Sequence, residues 1–341
     1  MSSIREARAL LDTAQTWADA GHAVALLSLV AVKGSAYRRP GAKMVMAANG
    51  RMQGSLSGGC LEGDLFLHAE QAMEDKRASV HRYDLTEDEM WGLGIGCKGQ
   101  VDVWVEPLDL SSPFWREFRK ALESDQPVVW GGQVPEGLRY FATSSADWKL
   151  SGTGSVPRRP HELEALSQTG FVEDYWWDIM RPPVRVIVAG AGHDARPVAR
   201  LAQQAGFDVT ILDPRPHINN ADHFPDAELW VRNAAQVDPQ EVRGSFWVIM
   251  NHHQQRDEEA LTLAASSHPA FVGVLGPKTR TAEMIAKTGI DPEGLPIHAP
   301  VGLDLGAESP DEVAVSIVSE LMARRSGTHG GALHGHDRIH R

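Results

Sequence analysis

The sequence predicts an α/β protein in two parts, and three observations predict it. From Val184 onward, strand-like and helix-like patterns alternate: strands at 184–189, 208–212, 246–250 and 270–275, helices from about Ala195 and Asp257. Such alternation describes a parallel sheet covered on both faces. The first of these strands runs into Gly190-Ala191-Gly192-His193-Asp194-Ala195, a Gly-x-Gly-x-x-Ala turn at a strand-to-helix junction. Before Pro182-Pro183 the patterning differs, with an opening helix and short strands joined by tight-turn signals. The expected fold is an N-terminal α/β domain (1–143), a linker and bridging segment (144–183), a C-terminal Rossmann-like, doubly wound parallel-sheet domain (184–325), and a His-rich tail (326–341) without fixed structure.

Element by element, Ile4, Ala7, Leu11, Ala14 and Ala18 recur at helical spacing and Gly21 stops the helix. The apolar run 23–32, interrupted by Ser28, reads as a buried strand. Lys43–Ala48 and Arg51–Leu56 form a hairpin about Asn49-Gly50, two residues that tolerate positive φ. Leu61, Leu65, Ala69, Ala72 and Met73 mark a helix face, and Val80–Leu85 a strand. Val101, Val103 and Val105 alternate with polar or aromatic neighbours, as in a half-buried strand. A short helix follows over 112–125, then strands at 127–133 and 138–143. Residues 144–170 are polar and read as a mobile connection, and 171–183 as a bridge. The last helix begins with Ser309 as N-cap, Pro310 at its first position and Glu312 completing a capping box.

The totals exclude several classes. Thirty-three Lys and Arg against 45 Asp and Glu give a net charge of -12, so no overall field draws the chain to nucleic acid or an anionic membrane. The longest apolar run falls short of the ~20 residues that cross a bilayer. Two cysteines are too few for a disulfide framework, and the N-terminus reads as helix rather than secretion leader, so the expected location is the cytoplasm. A dimer is the expected assembly.

Chemistry is expected at Gly54-Ser55-Leu56-Ser57-Gly58-Gly59-Cys60-Leu61-Glu62-Gly63-Asp64, a glycine-rich turn ahead of a helix. Its backbone NH groups form an oxyanion cradle, and the same field favours the thiolate of Cys60. Cys60 is then a nucleophile, sulfur carrier or soft-metal ligand, or else a small apolar residue closing the turn. Lys33, Arg38, Arg39 and Lys43 concentrate charge suited to phosphate, or form a solvated basic loop. In the second domain, Gly190 and Gly192 would let a pyrophosphate approach, with His193 beside it and Asp213 accepting from ribose hydroxyls. Asp194 puts a carboxylate next to that phosphate position. Asn251, His252, His253, Asp257, Lys278, Arg280, His298, Asp304 and Glu308 fall at the carboxyl edge of the sheet or could line its crevice. A metal site from His252, His253 and Asp257 competes with a hydrogen-bonded structural role. The histidines of the tail could bind metal adventitiously.

Three N-terminal segments, Gly34–Met44, Gly54–Asp64 and Gly92–Gly99, resemble the XdhC/CoxI family of xanthine dehydrogenase accessory factors. So do Gly190–His193, Asp213-Pro214-Arg215 and His298–Glu308, in the family's order. Tyr37 stands where that family usually has proline, and His253-Gln254 replaces an Asp-His pair. The resemblance implies a chaperone that binds the molybdenum cofactor (molybdopterin, mono- or dinucleotide form), helps it gain a sulfido ligand from a cysteine desulfurase, and passes it to a molybdenum hydroxylase. Cys60 would contact the sulfur or the molybdenum, with Cys97 second. Ser57, Gly58, Gly59, Glu62, Arg38 and Lys43 would hold the cofactor, and Gly190, Gly192, His193 and Asp213 an adenine nucleotide or NAD(P). An NAD(P)-dependent oxidoreductase built on the second domain, and a small-molecule-sensing scaffold, are the competing readings.

Overall fold

The computed structural model describes residues 3–85, 99–124, 126–143, 148–152, 169–172 and 174–335. They divide into two compact units that meet between Pro182 and Pro183.

The first unit opens with α1 (Ile4–Asp19), then β1 (Val24–Gly34), β2 (Lys43–Ala47), β3 (Met52–Gly54), α2 (Glu62–Asp75), β4 (Ser79–Asp84) and β5 (Gly99–Pro107). These strands form an antiparallel sheet of order β3-β2-β1-β5-β4. The expected hairpin is present, with Gly50 at φ 85°. Because successive side chains of a strand point to opposite faces, Ala25, Leu27, Leu29, Met44, Met46, Val103 and Val105 pack under Leu65, Ala69 and Met73 of α2. Val24, Leu26, Val45 and Trp104 face the other way. β5 therefore departs from the half-buried expectation: Trp104 and Glu106 are buried too, because the sheet is covered on both sides.

The second face is covered by α1, by α3 (Pro113–Ala121) and by a second sheet. Its strands are β6 (Val128–Gln133), β7 (Arg139–Ala142), β8 (Trp148–Leu150), β9 (Gly170–Val172) and β10 (Tyr175–Met180), in the order β8-β7-β6-β10-β9. Thus Trp148–Leu150 and the expected bridge from 171 are sheet strands of the first unit. The signal was hidden by the polar stretch between them, since the strands become apolar surfaces only when paired with β7 and β6. Trp104, Trp130 and Trp176 meet in this layer, with ring centroids 5.3 Å apart for Trp130 and Trp176.

Lys43 shares the face of Val45, and its ammonium is buried in an ion pair with Asp178. It also donates to Gly41 O at 2.9 Å and lies 5.5 Å from the centre of the Trp130 ring. Thr169 donates to the other oxygen of Asp178 at 2.6 Å. Two desolvated charges persist here because each is matched and hydrogen-bonded.

The second unit contains β11 (Arg185–Ala189), α4 (Ala195–Gln204), β12 (Asp208–Leu212), β13 (Glu228–Trp230), β14 (Phe246–Ile249), α5 (Gln254–Ser266), β15 (Phe271–Val274), α6 (Lys278–Thr288), β16 (Ile297–His298) and α7 (Pro310–Ser326). The sheet is parallel throughout, in the order β13-β12-β11-β14-β15-β16. Helices α4 and α7 cover one face and α5 and α6 the other, so the central strands are apolar on both sides. The capping box of α7 is present, Ser309 accepting from Glu312 N. Strand order reverses between β11 and β14, the switch point where such sheets open a crevice.

Replacing Lys43 with Met strands the buried Asp178 carboxylate and should cost about 3–5 kcal/mol. The double variant Lys43→Met/Asp178→Leu should recover most of that loss. Urea unfolding followed by tryptophan fluorescence checks both; equal midpoints for the single and double variants would show that the pair is not coupled.

Candidate functional site

The turn between β3 and α2 is built around its own carboxylate. Glu62, in the first turn of α2, folds back and accepts from the backbone NH groups of Leu56 at 3.1 Å, Ser57 at 3.0 Å and Gly59 at 2.9 Å. It also accepts from the hydroxyls of Ser55 at 3.0 Å and Ser57. Ser57 Oγ in turn accepts from Leu61 N at 2.8 Å, tying the turn to the start of the helix. Partial burial pushes the Glu62 carboxyl up, but the bonds from Ser57, Ser55 and Leu56 outweigh it and hold the group down at about 2.

The expected oxyanion cradle therefore exists, but Glu62 fills it. A phosphate would have to displace a carboxylate bound by five donors, so Ser57 and Gly59 are committed to the turn rather than offered to a ligand. Glu62 is its anchor. The sequence signal was an acid in the first helical turn, where NH groups lack helical partners.

Cys60 follows these donors and is exposed. It lines a small pocket together with Leu29, Ala36, Tyr37, Ser57, Leu61 and Val103. The walls of that pocket are largely apolar. Gly58, at φ 74°, passes beneath the Tyr37 ring. Cys97 lies outside the described residues.

The basic loop divides. Lys43 is buried against Asp178, which corrects its reading as a phosphate ligand, while the part-exposed Arg38 pairs through one nitrogen with Glu6 at 2.8 Å. Lys33 and Arg39 are exposed.

In the second unit Gly190 does what its turn requires. At φ 118° a Cβ there would come within 2.6 Å of Met250 O, so β11 can pass β14 only with glycine. Asp213, however, is fully buried. Its oxygens accept from Ala191 N at 2.9 Å and from the backbone and guanidinium of Arg215. Burial pushes this carboxyl up and Arg215 and Ala191 N pull it further down. Its sites for ribose hydroxyls are taken, which corrects that expectation. Asp194 leans over Gly192 and pairs with His252 at 2.6 Å, putting negative charge where a pyrophosphate would lie. His193 is exposed at the same turn.

The remaining candidates separate. Asp257 is buried and accepts from Asn251 and Arg280, while His298 pairs with Glu320 at 2.8 Å. Among the described residues, no group of three or more His, Cys, Asp and Glu is placed to hold a metal ion, so His252, His253 and Asp257 do not form one. Asp304, Glu308 and the tail residues His329 and His334 are exposed, and His336 and His340 lie outside the described residues. No helix among the described residues is long and apolar enough to cross a membrane.

A thiol-bearing glycine turn on an antiparallel α/β unit, joined to a parallel sheet of dinucleotide-fold order, defines a two-part protein whose exposed thiol and nucleotide-type fold belong to different units. Comparison with known proteins finds the same layout. Residues 17–84 match the profile described as XdhC and CoxI family, and residues 186–321 that described as XdhC Rossmann domain. A Bacillus subtilis protein named as a probable xanthine dehydrogenase subunit is 30% identical over 88% of this chain and 92% of its own. The molybdenum cofactor insertion chaperone PaoD of Escherichia coli is 26% identical over 89% and 84%. The crystal structure of a xanthine dehydrogenase from Bacillus halodurans superposes with a TM-score of 0.80 at 28% identity, covering 97% of this chain and 98% of that one. The chain belongs to the XdhC/CoxI family.

Two outcomes test the Glu62 anchor. Glu62→Ala should raise amide hydrogen exchange across Leu56–Leu61 by roughly tenfold or more, since charge-assisted bonds are the strong ones, while β1 and β5 keep wild-type rates; unchanged exchange in the turn would remove the anchor. Because the folded carboxyl is depressed, its contribution is fully present above the ordinary value of 4.5 and is lost as pH falls through about 2. A carboxyl-carbon NMR titration should give Glu62 a midpoint near that lower value, and a midpoint near 4.5 would contradict it.

Proposed function

We propose that this chain is a chaperone for the molybdenum cofactor: it takes the cofactor as cargo, supports its sulfuration by a cysteine desulfurase, and delivers it to a xanthine dehydrogenase-type hydroxylase, in the cytoplasm. Family membership and the near full-length match to a protein named as a molybdenum cofactor insertion chaperone support the reading. One structural observation carries it: an exposed thiol that lines a largely apolar pocket, held by a turn whose own anion satisfies its donors.

Those residues fit the cargo part by part. The thiol of Cys60 is a soft ligand of the kind that takes a soft metal centre or a sulfur atom. The apolar walls suit a ring and exclude water from it. Exposed Lys33 and Arg39 are left to meet a phosphate, because Glu62 closes the turn to one. The cargo supplies the molybdenum and its dithiolene. The protein's part is to fix the thiol in place without spending its own hydrogen bonds on the load.

The oxidoreductase reading needs Asp213 for ribose and an unobstructed glycine turn for pyrophosphate. Arg215 occupies the first and Asp194 with His252 the second, so the observations speak against it.

Cys60→Ser keeps the size of an exposed side chain and so leaves the fold intact. Purified from cells making molybdenum cofactor, it should retain at least about tenfold less molybdenum and pterin than the wild-type chain and fail to reactivate a cofactor-free hydroxylase. Retention and delivery at wild-type levels would refute the role of the thiol.

A further inference from the structure

The helix that begins at the Cys60 turn is joined to an edge strand of its sheet by a pair of histidines. Along β4, Val80, Arg82 and Asp84 are exposed, while Ser79, His81 and Tyr83 alternate with them and are half-buried on the side of α2. His81 lays its imidazole flat on that of His68 from α2, with ring centroids 3.4 Å apart and planes 18° from parallel. Rings stacked face to face aim their nitrogens sideways rather than at a common centre. Among the described residues, no group of three or more His, Cys, Asp and Glu is placed to hold a metal ion, and these two histidines are no exception.

The groups around the stack decide how it responds to protons. Asp64, one turn before His68 on α2, lies 3.4 Å from His68 Nε2 and accepts from the Tyr83 hydroxyl at 2.6 Å. Ser79 Oγ lies 2.8 Å from His81 Nε2. On β5 the residues of this face are Val101, Val103 and Val105, which carry no charge. Tyr83 adds no second anion, because burial and its bond to Asp64 push its hydroxyl above the ordinary range. One carboxylate therefore serves two imidazoles. Partial burial pushes the His81 imidazole below its ordinary value, the neighbouring His68 adds to the effect, and Asp64 opposes both. Two imidazolium rings held face to face would repel strongly, with a single anion beside them.

We infer that the His68–His81 stack is an acid-sensitive clasp between α2 and β4, closed while at most one ring is charged and opened by a second proton. Opening loosens the start of α2, from which Glu62 reaches back into the Cys60 turn. Because the His81 value is depressed on folding, its contribution to stability is fully present above the ordinary value of 6.5 and is lost as pH falls through the folded value. Glu62 does not share in that response, since its carboxyl stays ionised down to about 2. The clasp follows from the stack and its neighbours, and it stands whether or not the thiol meets a cofactor.

Hydrogen exchange of the full-length chain tests this by mass spectrometry at about pH 8 and about pH 5, either side of the ordinary histidine value, after correction for the intrinsic pH dependence of exchange. At the lower pH, peptides from α2 and β4 should lose protection by roughly tenfold or more, as two facing cations demand. Strands β11 and β14, which contain no histidine, should keep theirs. His68→Gln and His81→Gln each leave one imidazole without a like-charged neighbour, so in both the acid loss should shrink to about twofold or less. Equal protection of α2 and β4 at the two pH values in the wild-type chain, or an undiminished acid loss in either variant, would overturn the inference. A second readout needs no variant: the His81 ring proton, followed by NMR, should titrate with a midpoint below 6.5, and a midpoint at that value would count equally against the clasp.

Discussion

Everything proposed for the first unit depends on one carboxylate. Glu62 gathers three backbone NH groups and two hydroxyls into a turn that would otherwise leave those donors facing water or any passing anion. The consequence is selectivity by subtraction. With its donors satisfied internally, the turn has a fixed shape and little appetite for phosphate, and what it presents is a thiol beside a largely apolar pocket. A carrier that must release its cargo gains from that arrangement, because fewer strong polar bonds have to be broken on delivery.

The turn is held from below by a sheet that cannot shift. Alternate residues of β1 and β5 pack under α2 on one side and against the tryptophan layer on the other, so a one-residue slip would exchange the two faces. The Lys43–Asp178 pair fixes the start of β2 to the second sheet. β2 leads through β3 into the Cys60 turn, so the frame that positions the thiol includes strands from both sheets. In the second unit, the crevice at the switch point is closed in a comparable manner: Arg215 seals Asp213, and His252 draws Asp194 over the glycine turn. Both units thus satisfy anion-binding geometry with internal carboxylates.

Local features of this architecture were legible in the sequence. The Asn49-Gly50 hairpin, the capping box at Ser309, and the Gly190 turn are each set by residues next to one another, and all three are present. What was illegible is non-local or depends on side-chain direction. Lys43 and Asp178 lie 135 residues apart, and nothing near Lys43 distinguishes a buried ammonium from a phosphate ligand. β10 follows a polar stretch and reads as a bridge until it is paired with β6. α6 carries few apolar residues, with Met284 its main buried anchor, and gives little periodic signal. At the site itself the position of Cys60 was readable from its glycines, but whether Glu62 points outward to a ligand or back into the turn is a rotamer choice that spacing does not encode. Arg215 captures Asp213 for the same reason.

The central claim is that the Cys60 thiol, and not some other part of the chain, meets the cargo. Site-resolved alkylation tests it most directly: the full-length chain is prepared from cells that make molybdenum cofactor and from cells that do not, treated briefly with iodoacetamide, and the peptides bearing Cys60 and Cys97 are quantified separately by mass spectrometry. Protection of Cys60 in the cofactor-bearing preparation, lost when the cofactor is stripped, is the predicted result. Equal alkylation of Cys60 in both preparations, with cofactor demonstrably bound, would contradict it.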